Sequence, residues 1–226
     1  MRARTVVVLV AAVAALAACG GAKSNGEASK PAEQVVKDAV AAAQTASGVH
    51  VSGSMVSGGD HLTIDLHIVA GKGGAGTITE QGLSFQFVRL GDKAYIKGSD
   101  AFYKKFAGAA AAQLLHGRWL MADATKGEFA PLTGLTDLGK LIPQILNEHE
   151  RLANDGEKTV KGQKVVTVRD VTKGGTLDVA ATGKPYPLEV VKTGGTEPGD
   201  VTFAEWNKTV SISAPKGAID LSKLGG

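Results

Sequence analysis

The sequence predicts an α+β fold: one large antiparallel sheet of roughly ten strands, strongly curved, with helices packed against its concave face. Alternation of apolar and polar residues marks the strands, most clearly over residues 61–70. Turn signals built on glycine recur about every ten residues in both halves of the chain. Helical periodicity is confined to three segments before and between the runs of strands, an order that favours segregated helices over a doubly wound sheet.

Ahead of the first element lies a short leader. Met1-Arg2-Ala3-Arg4 is positive, residues 5–15 are almost wholly apolar, and Leu16-Ala17-Ala18-Cys19-Gly20 follows. A bilayer span takes about 20 apolar residues, so this run reads as a cleavable signal rather than a membrane helix. Leu-Ala-Ala-Cys resembles the bacterial lipobox, in which the cysteine receives a diacylglyceryl group and becomes the new N-terminus. Residues 1–18 are therefore expected to leave, and Cys19 to carry the lipid. Several acyl chains hold a protein stably to a membrane where one does not. The expected location is the extracytoplasmic face of the cell membrane, lipid-anchored.

Cleavage leaves 208 of the 226 residues, enough for one domain with a sizeable core, and removing Arg2 and Arg4 lowers the formal charge from +3 to +1. No dense Lys/Arg cluster with interleaved aromatics occurs, so nucleic acid is not an expected partner. Cys19 is the only cysteine, so no disulfide is available and the domain must rely on its core. Residues 19–30 read as lipidated cysteine plus a flexible polar tether, and residues 31–226 as a single domain.

Residues 31–47 are expected to be helical, with Ser29 or Lys30 at the cap and Pro31 in the first turn. Val36, Ala39, Val40 and Ala43 form its apolar stripe, and Gly48 ends it. Strands are expected at 50–56 and 61–70, in the second of which Leu62, Ile64, Leu66 and Ile68 share one face. Glycines 71–76 read as a hairpin loop before short strands at 77–81, 83–87 and 93–97. Ser99 or Asp100 caps a helix running to Leu115 through the Ala-rich stretch 107–112. A short strand follows at 117–121, then a second helical region over 135–152 containing Ile142, Ile145 and Leu146, whose helix proper Pro143 is expected to begin. Strands at 157–160, 164–171, 176–181, 186–192, 201–206 and 210–213 complete the reading.

Chemical motifs are few. Gly71-Lys72-Gly73-Gly74-Ala75-Gly76 has dinucleotide-loop spacing, but Thr77-Ile78-Thr79 continues as a strand rather than a helix, so no phosphate site is expected. Of the five histidines, His61 and His67 flank Asp65 on one strand, a spacing that supplies no zinc set by itself, and no metal is expected. No Gly-x-Ser-x-Gly elbow and no free thiol are present, and the carboxylates are scattered. The chain is not expected to be an enzyme or to need a cofactor.

One resemblance draws these features together. The lipobox, the tether and the Ala-rich helix ending in Ala46-Ser47-Gly48-Val49-His50 come first. Gly91-Asp92-Lys93-Ala94-Tyr95-Ile96-Lys97-Gly98 and Gly117-Arg118-Trp119 follow, and then Gly183-Lys184-Pro185-Tyr186-Pro187-Leu188 and Phe203-Ala204-Glu205-Trp206-Asn207. Together they are similar to the actinobacterial LppX/LprA/LprF/LprG lipoproteins, relatives of the carrier LolA and of the RseB sensor domain. The resemblance implies a half-barrel closed by helices over an apolar cavity that holds acyl chains of a lipid or lipoglycan and assists its transport or presentation. Leu62, Ile64, Leu66, Ile68, Phe85 and Phe87 are the expected lining, with Ile142, Ile145 and Leu146 on the covering helix. Membrane, acylated ligand and a membrane transporter are the partners it suggests, for a monomer. A sensor or protein-binding scaffold of the same fold is the alternative.

Overall fold

A computed structural model of the chain describes residues 23–57, 59–194 and 198–223. The leader and Cys19 lie outside the described residues. Among the described residues, twelve strands form one unclosed, curved sheet with four α-helices. In chain order the elements are α1 (Ala32–Gln44), β1 (Gly48–Ser57), β2 (Asp60–Val69), β3 (Gly73–Glu80), β4 (Leu83–Leu90), β5 (Lys93–Gly98), α2 (Asp100–Leu115) and β6 (Leu120–Asp123). There follow α3 (Pro131–Leu135), α4 (Leu138–Leu146), β7 (Leu152–Val160), β8 (Gln163–Asp170), β9 (Thr176–Ala180), β10 (Pro187–Lys192), β11 (Gly199–Ala204) and β12 (Ile219–Asp220).

The spatial order is β12-β6-β5-β4-β3-β2-β1-β11-β10-β9-β8-β7. Two meanders, β1–β6 and β7–β11, therefore meet at one seam where β1 pairs with β11. All neighbours are antiparallel except β12 beside β6. Gly53 lies in this seam, and a Cβ there would collide with the Asp200 carbonyl of β11. Gly76 of β3 lies equally close to the backbone of β2 at Asp65. Glycine at these points lets neighbouring backbones close up and the sheet bend.

The concave face is the core. In β2 the expected alternation is present: Ile64, Leu66 and Ile68 are buried, Leu62 is half-buried, and Thr63 and Asp65 face outward. Burying one such side chain completely contributes about 1.5–3 kcal/mol. Helix α1 turns Val35, Val36, Ala39 and Ala43 inward at helical spacing, and α4 brings Leu138, Leu141, Ile142 and Leu146 to the same core. Ser99 caps α2 by accepting a hydrogen bond from the Phe102 N–H.

Several expectations are corrected. The glycine run does not loop out: β3 begins at Gly73, and Gly74 and Gly76 pair within the sheet. Of the helical region expected over 135–152 only α4 (Leu138–Leu146) forms, because Asp137 starts it by accepting from the Gly139 N–H and the chain enters β7 at Leu152, while the short α3 lies before it. Pro143 lies inside α4 rather than at its start. Pro31 itself occupies the cap position of α1, without a side-chain cap bond. Residues 210–213 form no strand; Ile219 and Asp220 provide the last one instead.

Residues 24–30, expected as part of a free tether, are held against the sheet. Ser24 bridges Thr182, and the Asn25 side chain donates to the Ala180 carbonyl at 2.7 Å. The Asn154 side chain donates to the carbonyls of Glu27 and Lys30. Glu27 is 2% exposed, and Lys30 spans from its carboxylate at 2.8 Å to Asp38 at 2.6 Å.

Candidate functional site

A cross-strand row organises the inner face. Val168 of β8 pairs with Leu177 of β9, Leu177 with Val190 of β10, and Val190 with Val201 of β11. Val201 faces Gly53 of β1, Gly53 faces Ile64 of β2, Ile64 faces Ile78 of β3, and Ile78 faces Phe85 of β4. Because side chains alternate along every strand, this row stays on one face across eight strands.

Over the β8–β11 part of the row the helices stand off, leaving a groove of about 360 Å3. Ile145 and Leu146 of α4, Val36 of α1 and Leu152 form one wall; Val168, Leu177, Val190, Val201 and Met55 form the other. The volume lies at the small end of the range for ligand pockets, about 300–1,000 Å3. Apolar surface left open in this way has an unrealised burial energy of about 25 cal/mol per Å2, available to any apolar chain that fills it.

Polar groups ring the mouth, where β8, β10 and β1 end and β9 and β11 begin. Asp170 shapes this rim. Its carboxylate accepts from the backbone N–H groups of Glu150 at 2.9 Å, Thr172 at 2.8 Å and Lys173 at 2.9 Å. Burial pushes the Asp170 carboxyl up, but these N–H groups together with Lys173 outweigh it and hold the carboxyl below the usual carboxylate range. His149 stands 3.8 Å from Glu33 of α1, and Lys173 3.9 Å from Glu150. The mouth thus combines charges of both signs above an apolar interior.

A second, smaller hollow of about 180 Å3 lies at the other end of the row, between Leu83, Phe85 and the aromatic side chains of α2. The Phe102 ring sits between those of Phe85 at 5.3 Å and Phe106 at 4.8 Å, tilted to both. Phe106 is 64% exposed and Leu114 of the same helix 78%.

Of the residues singled out from sequence, Ile145 and Leu146 wall the groove, and Phe85 lines the second hollow. Ile64, Leu66, Ile68, Phe87 and Ile142 are packed in the core and are not among the groove walls, and half-buried Leu62 packs against them. The strand-side walls Val168, Leu177, Val190 and Val201 come from the C-terminal meander. Their alternation was readable, but no local signal tells that β11 returns to pair with β1. On the outer face Asp65 and His67 are neighbours as expected, and the register adds His50, directly opposite His67.

An unclosed antiparallel sheet bent around two helices, with an apolar groove under the covering helix, defines the class: an α+β half-barrel fold. Two of the solved structures similar to it are mycobacterial. LprF from Mycobacterium bovis is similar over 87% of this chain and 100% of its own, with a TM-score of 0.57 at 14% identity. The lipoprotein LppX from Mycobacterium tuberculosis is similar over 80% of this chain and 98% of its own, with a TM-score of 0.52 at 17% identity. The chain has the fold of these proteins, as the sequence resemblance implied. No protein-family model matches the chain, and no curated protein matches it. Among the described residues no helix is long and apolar enough to cross a membrane.

Proposed function

We propose that this protein is a membrane-anchored envelope lipoprotein that binds an acyl chain of a lipid or lipoglycan in the groove beneath α4 and assists its transport or presentation without catalysing a reaction. The observation that carries this reading is the groove itself: apolar walls, a charged rim, and about 360 Å3 of space at one end of the core. Each methylene transferred from water to such walls contributes about 0.8 kcal/mol. The fold shared with LppX, itself a lipoprotein, supports the same assignment.

Anchoring rests on Cys19. With Ser24 bridged to Thr182, only a handful of residues separate a lipidated Cys19 from the body, a reach of at most about 17 Å. Thr182 follows the end of β9, whereas Gly174 and Gly175 at the groove mouth precede its start. On this reading the mouth and the anchored segment lie at opposite ends of β9.

The test is uptake of a fluorescent fatty-acyl probe by the Cys19→Ser chain purified without detergent. Saturable uptake that Val190→Trp reduces at least tenfold supports the reading. Absence of uptake, or uptake insensitive to Val190→Trp, overturns it and leaves a protein-binding role, for which the exposed Phe106 and Leu114 of α2 are the surface to test.

A further inference from the structure

The outer face of the seam carries a cluster unrelated to the groove. Val49 and Val51 of β1 are buried, so the intervening His50 faces outward; Leu66 and Ile68 of β2 turn His67 outward by the same alternation. The register sets the two histidines directly opposite each other, and their rings stack at 4.2 Å with an interplanar angle of 13°. His50 also pairs with Ala204 of β11, and the next residue, Glu205, completes the group. One ligand atom from each of His50, His67 and Glu205 lies within 4.8 Å of the other two.

Two features of the surroundings favour a ligand set over a chance surface grouping. First, Glu205 is a non-glycine residue at φ 53°, in a turn with Asn207 at φ 63°. Residues other than glycine adopt this region at a cost that neighbouring structure must offset. Here Asn207 holds the turn: its side-chain oxygen accepts from the Ser47 N–H at 2.9 Å, its amide donates to the Tyr186 hydroxyl at 2.9 Å, and its own N–H donates to the Gly48 carbonyl. The turn thereby fixes Glu205 beside the histidines. Second, the Asp65 carboxylate can only accept, so the 2.8 Å bond to His50 places a proton on Nε2 and leaves the lone pair of the neutral ring on Nδ1. A carboxylate behind a histidine is the usual support of a metal-bound imidazole.

We propose that His50, His67 and Glu205 bind a divalent transition-metal ion of the zinc class on the outer face of the sheet, with Asp65 orienting His50. Two imidazoles and one carboxylate, with a fourth position open, match a zinc donor set and not the all-oxygen sets of calcium or magnesium. Donors around tetrahedral zinc lie about 3.3 Å apart. To share one ion the stacked rings of His50 and His67 must turn about their side-chain torsions until their lone pairs converge, with Glu205 sharing its carboxylate with Lys208, now 2.6 Å away. A bound ion would tie β1, β2 and the end of β11 together at the seam of the two meanders.

The test is calorimetric titration of untagged Cys19→Ser chain with zinc chloride in a non-chelating buffer at pH 7.5, with thermal melts alongside. One ion per chain, a raised melting temperature, and an affinity that falls about a hundredfold in His50→Ala and His67→Ala are expected. Asp65→Asn should lose about tenfold, as supporting carboxylates do. His61→Ala, His116→Ala and His149→Ala serve as controls and should bind as the parent does. Circular dichroism of the metal-free variants separates lost ligation from lost folding, and Glu205→Gln, on an exposed turn, gives a ligand variant that leaves the strands intact. Binding unchanged in His50→Ala, His67→Ala and Glu205→Gln, or lost equally in the control variants, overturns the proposal.

Discussion

Gly53 of β1 stands opposite Val201 of β11, within the run of facing pairs that joins the two meanders, and Val201 lines the groove. Adding a side chain at Gly53 would drive a Cβ into the Asp200 carbonyl and push β11 away from β1. Gly53→Val should therefore destabilise the domain by about 1–3 kcal/mol, as overpacking does, and the shift of Val201 should weaken acyl-probe uptake. Urea denaturation and probe titration measure the two effects. Unchanged stability would show that the seam is not as tight as described.

Leu66 and Val190 separate core from groove. Leu66 is fully buried, whereas Val190 is half-buried on the groove wall. Leu66→Trp should cost about 1–3 kcal/mol with probe uptake retained by the folded fraction. Val190→Trp should abolish uptake with little change in stability. The reverse pattern would move the binding cavity to the β2–β4 side, where the sequence reading first set it.

Asp170 gives the rim a pH dependence. Its carboxyl is held below the usual range, so its contribution to stability is fully present above the unfolded-state pKa, about 3.9, and is lost as pH falls through the lower folded-state value. Between pH 5 and pH 2 the urea midpoint of the parent should fall more steeply than that of Asp170→Ala. At pH 7 the variant should be less stable by about 1–2 kcal/mol, having lost charge-assisted hydrogen bonds to three N–H groups. Parallel curves for the two proteins would remove Asp170 from this role.

Lys30 should govern the docking of the N-terminal segment. Asp38, then Glu27, raise the Lys30 pKa by hydrogen bonding, and the second carboxylate oxygen of Glu27 is buried without a partner. In Lys30→Met the buried Glu27 loses its cation, so limited proteolysis should cut within residues 24–30 far faster than in the parent. Equal cutting would restore the free tether that the sequence suggested.

How much was readable in the sequence follows from the range of the interactions involved. Residues 61–70 declared their inner face because alternation is local, and Ser99 declared its helix because a cap is local. Glycines 73, 74 and 76 misled, since the composition that makes a turn also lets strands approach closely. The 135–152 region concealed the bounds of its one short helix, although Asp137 two residues before Gly139 was a capping signal. The groove depended on Val201 reaching Gly53, almost 150 residues apart, and the histidine pair on the β1–β2 register. Sequence patterns specify which face a residue presents, while strand pairing decides what it faces.

Whether the groove beneath α4 holds an acyl chain is decided by native mass spectrometry of the Cys19→Ser chain purified from an actinobacterial host. A lipid-mass adduct, released by organic extraction and absent from Val190→Trp, is expected. A bare protein mass in the parent, or the same adduct on both proteins, would contradict it.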